Sequence, residues 1–232
     1  MKKFVSAIIV SAGNSTRMGE KINKQFINIF GKPAILYTIT AFEKSDDIDE
    51  IVIVCKDEHK EKIFGILKDN NIKKVSNIVN GGNSRQESVK NGIKGTNKEA
   101  THFCIHDGAR ILITPNMISN VVNKAIKLDC ATLGVPVKDT IKVVNEDGFI
   151  NYTPDRSKLW AIQTPQVFKK EIYLNALKVA TKLKMDYTDD CQIVESNNQK
   201  VYVQIGSFDN IKLTTIEDVK QVKAILKDRG YK

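Results

Sequence analysis

Residues 4–17 read Phe4-Val5-Ser6-Ala7-Ile8-Ile9-Val10-Ser11-Ala12-Gly13-Asn14-Ser15-Thr16-Arg17. An apolar, β-branched run passes straight into a small, polar, glycine-containing loop that ends on a guanidinium. A nearly continuous apolar run suits a parallel strand covered on both faces. A Gly/Ser/Asn loop after such a strand lets the backbone approach an anion, and its consecutive N–H groups can form a nest for phosphate. The same stretch has the outline of a secretion signal, with Lys2 and Lys3 ahead of it and Ser11-Ala12-Gly13 as a small-residue site. Its apolar part is short for that purpose, so we read a buried first strand.

Working outward, strand and helix patterns alternate. Pro33 opens a helix at its first position, with Ile35, Leu36, Ile39 and Phe42 at helical spacing. Strands are expected at 51–55, 75–79, 103–106 and 131–137, with helices at 59–67, 84–93 and 115–128 between them. Ser84 and Glu87 have capping-box spacing. This alternation predicts an α/β fold with a doubly wound, mostly parallel sheet and right-handed crossovers. The rhythm breaks at about 138–159, where 141–144 and 149–152 flank Glu146-Asp147-Gly148 and predict a protruding β-arm. A helix at 171–184, a strand at 201–205 and a helix at 216–228 follow. We expect one domain over 1–232.

The net charge of +9 invites a nucleic-acid reading. Of 36 basic residues, only Arg17, Arg85, Arg110, Arg156 and Arg229 are arginine, and the lysines are scattered. Aromatics are 7%, without the basic–aromatic interleaving of a single-strand binder, so no nucleic-acid partner is expected. The four cysteines are far apart and there are three histidines, which argues against a zinc site and for reduced thiols in a cytoplasmic protein. No run reaches the ~18–20 apolar residues of a membrane span.

In open α/β sheets ligands bind beyond the carboxyl ends of the strands. The polar motifs fall there: the loop from Ser11, with Lys24 behind it; Gly81-Gly82-Asn83-Ser84-Arg85-Gln86-Glu87-Ser88; His106-Asp107-Gly108-Ala109-Arg110; and Lys138-Asp139-Thr140. The first loop is neither a P-loop nor a dinucleotide fingerprint, and an ordinary turn is its competing reading. An exposed carboxylate at Asp107 beside Arg110 would suit Mg²⁺ or a sugar hydroxyl, or else a local ion pair. His106 reads as structural. The only tryptophan, Trp160, reads as a packing residue, and Thr188-Asp189-Asp190 as a helix cap rather than metal ligands.

In this order and spacing the motifs AGNSTRMG…NKQF, GGNSRQESVKNG, HDGAR, VPVKDTIK, LWAIQTPQVF, YTDDCQIVE and DNIKLTT make the chain resemble the 2-C-methyl-D-erythritol 4-phosphate cytidylyltransferases, from Ala7 to about Asp218. The resemblance implies a Rossmann-like nucleotidyltransferase fold, a homodimer joined through the arms, and a Mg²⁺-dependent reaction of CTP with methylerythritol phosphate. It assigns catalysis to Arg17 and Lys24, and CTP binding to Ser11, Ala12, Gly13, Gly82, Asn83 and Ser88. It assigns the alcohol phosphate to Asp107, Arg110, Thr140, Arg156, Thr164 and Lys212, with Thr140 and Arg156 reaching the neighbouring subunit's site. Asp107 would also lie near the metal, otherwise held by the CTP phosphates.

The chain departs from the family pattern at Val10-Ser11, Asn23 and Ile111, where the family usually has proline-containing sequences; these changes alter loop rigidity and no charged group. The alternative is a ribitol-5-phosphate cytidylyltransferase, disfavoured by VPVKDTIK and the YTDD…VE stretch. With 14 residues after Asp218, no fused second enzyme domain is expected.

Overall fold

The computed structural model describes residues 3–13, 23–183, 185 and 187–232. The opening stretch forms strand β1 (Val5–Val10), and every residue of it except Val10 is buried. A two-stranded ribbon of β2 (Asn28–Ile29) and β3 (Lys32–Pro33) precedes helix α1 (Ala34–Glu43). Pro33 therefore ends a strand and stands at the N-cap, so the helix begins one residue later than expected. Next come β4 (Glu50–Cys55), α2 (Lys60–Asp69), β5 (Val75–Asn80), α3 (Arg85–Lys94), β6 (His102–Asp107), α4 (Pro115–Leu128) and β7 (Cys130–Pro136).

Side chains alternate across a strand, and β1 shows the consequence. Val5, Ala7 and Ile9 pack into one core with Ile35, Ile39 and Phe42 of α1, Ile63 of α2 and Val121 of α4. Ile8 points the other way, toward Val89 of α3 and Tyr173 and Ile193 further along the chain. Helices thus cover both faces of the sheet.

After β7 the arm carries β8 (Val143–Val144) and β9 (Ile150–Tyr152), paired antiparallel. Its base is closed by a bond from the Val137 amide to the Leu159 carbonyl, 3.0 Å. The chain then returns in β10 (Trp160–Lys169), α5 (Lys170–Leu183), α6 (Asp190–Glu195), β11 (Tyr202–Ile205) and α7 (Ile216–Asp228). The main sheet runs β11-β7-β10-β6-β1-β4-β5. All of its pairings are parallel except those of β10, which runs antiparallel between β6 and β7.

Strand β10 is absent from the sequence expectation. Proline inside a central strand removes a ladder donor and argues against such an assignment. Here the register shifts between Ile162 and Gln166, so Pro165 falls in the irregularity. Trp160 at its start is 37% exposed rather than packed.

Candidate active site

The chain steps from β1 outward to β4 and β5, then back across to β6. The topological switch point thus lies between β1 and β6, where an open α/β sheet leaves a crevice. A cleft of about 740 Å³ opens there, lined by Ser11, Ala12, Gly13, Lys24, Gly81, Gly82, Asn83, Arg85, Ser88, Asp107 and Lys212, among others.

Backbone bonds stitch its walls together. The Ser11 amide donates to the Val54 carbonyl (2.7 Å), Gly81 to Cys55 (2.8 Å) and Gly108 to Val10 (2.8 Å). A Cβ on Gly81 would collide with the Cβ of Ala12, so the two Gly loops close on each other only because Gly81 has none. Ser88 of α3 accepts from the Gly82 amide (3.0 Å) and donates to the Ser84 carbonyl (2.9 Å). The expected capping box is split. The Ser84 hydroxyl accepts from the Glu87 amide, but the Glu87 carboxylate accepts from the Asn83 amide (2.7 Å) rather than from that of Ser84.

Lys24 enters on a short 3₁₀ turn, Lys24–Phe26. Asn23 caps it, its side-chain oxygen accepting from the Gln25 amide (3.2 Å) while its Nδ2 meets His59 Nε2 at 2.8 Å. Arg17, the other expected catalytic cation, lies outside the described residues.

Asp107 is 8% exposed, not the open carboxylate expected. Its Oδ2 accepts from Lys212 Nζ (2.7 Å) and its Oδ1 from Arg85 Nε (3.3 Å). Burial alone would raise its pKa, but the charges of Arg85 and Lys212 outweigh that and hold the carboxyl well below the usual range. Arg110, its expected partner, instead donates from Nη1 to the Asn210 carbonyl (2.7 Å). Arg110 does not line the cleft; it braces the segment that carries Lys212.

Both Asp107 oxygens already face cations, and no group of three or more candidate ligands exists among the described residues. Among the described residues the side chains form no resident metal site, and the ion pairs at both Asp107 oxygens do not fit the expectation of Asp107 as a Mg²⁺ ligand.

Thr164 is also displaced from its expected role. Its hydroxyl oxygen accepts from the Asp107 amide (3.0 Å) and lies 3.0 Å from His106 Nδ1, within the protein rather than on the cleft wall. With the threonine proton given to Nδ1, His106 donates from Nε2 to the Arg110 carbonyl (3.2 Å). Burial is the main cause that pushes the His106 pKa down to about 3, so the ring is a neutral spacer. This fits its structural reading.

Thr140 and Arg156 are exposed on the arm, outside the cleft of their own chain. Arg156 donates from Nη1 to the Lys138 carbonyl (2.9 Å). The sequence reading did not single out Lys56 and Asp57, which line the cleft at the end of β4, although that strand-end position was a usable signal. Asp189 caps α6 as expected, accepting from the Gln192 amide at 2.9 Å.

A doubly wound sheet with a polar, glycine-walled cleft at its switch point, lined by lysine and arginine, defines an α/β protein built to bind a phosphorylated ligand such as a nucleotide. The sequence profile of the 2-C-methyl-D-erythritol 4-phosphate cytidylyltransferase family matches residues 5–228. Proteins of that name from Clostridium novyi (strain NT) and Caldanaerobacter subterraneus subsp. tengcongensis are 44% and 45% identical to this chain. The alignments cover 96% of this chain in both cases, and 96% and 99% of the two relatives. The solved 4-diphosphocytidyl-2C-methyl-D-erythritol synthase of Anaerococcus prevotii DSM 20548 superposes with a TM-score of 0.87 at 28% identity, covering 97% of this chain and 99% of that one. The chain belongs to the 2-C-methyl-D-erythritol 4-phosphate cytidylyltransferase family, and these matches do not favour the ribitol phosphate alternative. No helix among the described residues is long and apolar enough to cross a membrane.

Proposed function

We propose that the cleft transfers the cytidylyl group of CTP to 2-C-methyl-D-erythritol 4-phosphate, giving the CDP-alcohol and pyrophosphate. The observation that carries this reading is the convergence, in one cleft, of two Gly loops, Lys24 and the Asp107–Lys212 pair.

The attacking phosphate oxygen is already an anion, so the reaction needs no general base. That agrees with His106 being neutral and its ring nitrogens engaged. A P–O bond forms between the acceptor phosphate and the α-phosphorus as the bond to pyrophosphate breaks. Positioning and cationic stabilisation of that displacement carry the catalysis. Lys24 and Arg17 hold the triphosphate. Ser11, Ala12, Gly13, Gly82, Asn83 and Ser88 take the cytidine. Asp107 and Lys212 take the acceptor, with Arg110 and Thr164 positioning them. A divalent cation, Mg²⁺, is carried in by the nucleotide phosphates.

We read the chain as one domain over 1–232 that dimerises through the arm at 138–159. Ile141, Val144, Phe149, Ile150 and Tyr152 are all exposed there, Phe149 at 73%, on a two-stranded ribbon too small to bury them itself. Thr140 and Arg156 would then complete the neighbouring subunit's site. Four buried thiols, none in a disulfide, suit the cytoplasm.

The test is product identification by phosphorus NMR after incubation with CTP, methylerythritol phosphate and Mg²⁺. A diphosphate diester appearing with stoichiometric pyrophosphate is expected. Inorganic phosphate with no diester would overturn the assignment.

A further inference from the structure

A buried charge ladder runs from the cleft wall into the core. Lys212 Nζ meets Asp107 Oδ2 at 2.7 Å, and Asp107 Oδ1 accepts from Arg85 Nε at 3.3 Å. Arg85 Nη1 then donates to Asp190 Oδ2 at 2.7 Å. Asp190 is completely buried, and its other oxygen accepts from the Tyr173 hydroxyl at 2.6 Å. The Asp190 amide donates to Gln166 Oε1 at 3.0 Å, which fixes the start of α6 against β10.

The ladder's charges alternate, two cations with two carboxylates, so each group is held by an opposite charge. Lys212 and Arg85 both face the cleft, with 37% and 27% of their side chains exposed, whereas Asp190 is closed off from it. A lysine ammonium is a compact charge on a flexible stem, and what it rests on sets its direction. Lys212 rests on Asp107, Asp107 on Arg85, and Arg85 on Asp190.

We propose that Asp190 and Arg85 are positioning residues for the acceptor half of the site: anchored by Tyr173, Asp190 holds Arg85 in place, and Arg85 in turn holds Asp107 and Lys212 against the incoming alcohol phosphate. The inference rests on the reading above, in which Asp107 and Lys212 take the acceptor. Arg85 opens α3 just after the Gly81-Gly82-Asn83 loop, but its side chain bonds Asp107 and Asp190 and none of those loop residues, so the ladder leads to the acceptor pair.

The test compares full-length wild type with Asp190→Asn, Tyr173→Phe and Lys212→Ala, measuring KM for each substrate, or calorimetric affinity where turnover is slow. Asp190→Asn keeps shape and removes the charge from a charge-assisted bond. We expect KM for methylerythritol phosphate to rise roughly tenfold while KM for CTP stays within about twofold. A lowered thermal midpoint with both KM values unchanged, or an equal rise in both, would overturn the inference. If Asp190→Asn does not fold, Tyr173→Phe decides: a rise of about threefold confined to the acceptor is expected, and an unchanged acceptor KM overturns it. If Lys212→Ala also leaves the acceptor KM unchanged, the acceptor assignment itself has failed, and the inference falls with it.

Discussion

Lys212 and Asp107, 105 residues apart, meet at 2.7 Å on the wall of the cleft. One comes from the segment after β11 and the other from the end of β6, and the Leu213 amide donating to the Ala109 carbonyl (2.9 Å) ties the two segments together. A buried carboxylate between two cations makes the site's stability depend on pH in a definite direction.

Asp107 is held below its ordinary value in the folded chain. Its contribution to stability is therefore fully present above the unfolded carboxylate value of about 3.9 and is lost as pH falls through the lower folded value. We expect Asp107→Asn to be less stable than wild type at pH 7, with the difference shrinking only below about pH 4. Urea unfolding of both proteins from pH 7 to pH 2.5 measures this. A constant difference over that range would contradict it.

His106 acts in the same direction over a higher pH window. Its ring stays neutral in the folded chain down to about pH 3, whereas an unfolded histidine protonates near 6.5. Below that value the unfolded chain binds more protons, so stability falls as pH drops from about 6.5 toward 3. The expected slope from this one group is about 1.4 kcal/mol per pH unit. Calorimetric unfolding at pH 5 in several buffers counts the protons taken up. His106→Gln is expected to take up about one fewer.

Gly81→Ala tests the closure of the two Gly loops. The added methyl would meet Ala12 and crowd Ser88 Oγ at 3.2 Å, forcing the loops apart. Affinity for CTP should fall about tenfold or more, measured by calorimetry, with acceptor KM little changed. Unchanged CTP affinity would place the nucleotide elsewhere.

The arm predicts complementation between subunits. Arg17→Ala and Arg156→Ala proteins should each be strongly impaired. Mixed and allowed to exchange subunits, they form heterodimers in which one site carries both defects and the other carries none. Activity should then rise toward about a quarter of wild type, because half of the dimers are mixed and each has one intact site. No recovery despite subunit exchange, verified by native mass spectrometry, would show that Arg156 serves its own chain.

Helices 115–128 and 216–228 were legible because each carries its own boundary signals. Thr114 caps the first, with Pro115 in its opening turn, and Thr215 with Asp218 forms a capping box for the second. β1 was legible because burial on both faces leaves an uninterrupted apolar run. β10 was hidden because its pairing depends on β6 and β7, and Pro165 locally denies the pattern. Site residues attached to strand ends and Gly loops, such as Ser11, Gly82 and Asp107, could be placed from motif order. Arg110 and Thr164 sat in the right motifs, yet the structure turns them inward onto Asn210, His106 and the Asp107 amide. The Arg85–Asp190 bond joins positions 105 apart, and local pattern carries no signal for it.

The most direct measurement of the central claim is kcat/KM for methylerythritol phosphate and for ribitol 5-phosphate, each with saturating CTP and Mg²⁺, followed by pyrophosphate release. A preference of at least about 100-fold for methylerythritol phosphate is expected from a site that hydrogen-bonds its acceptor. Equal rates, or a preference for ribitol 5-phosphate, would contradict the assignment.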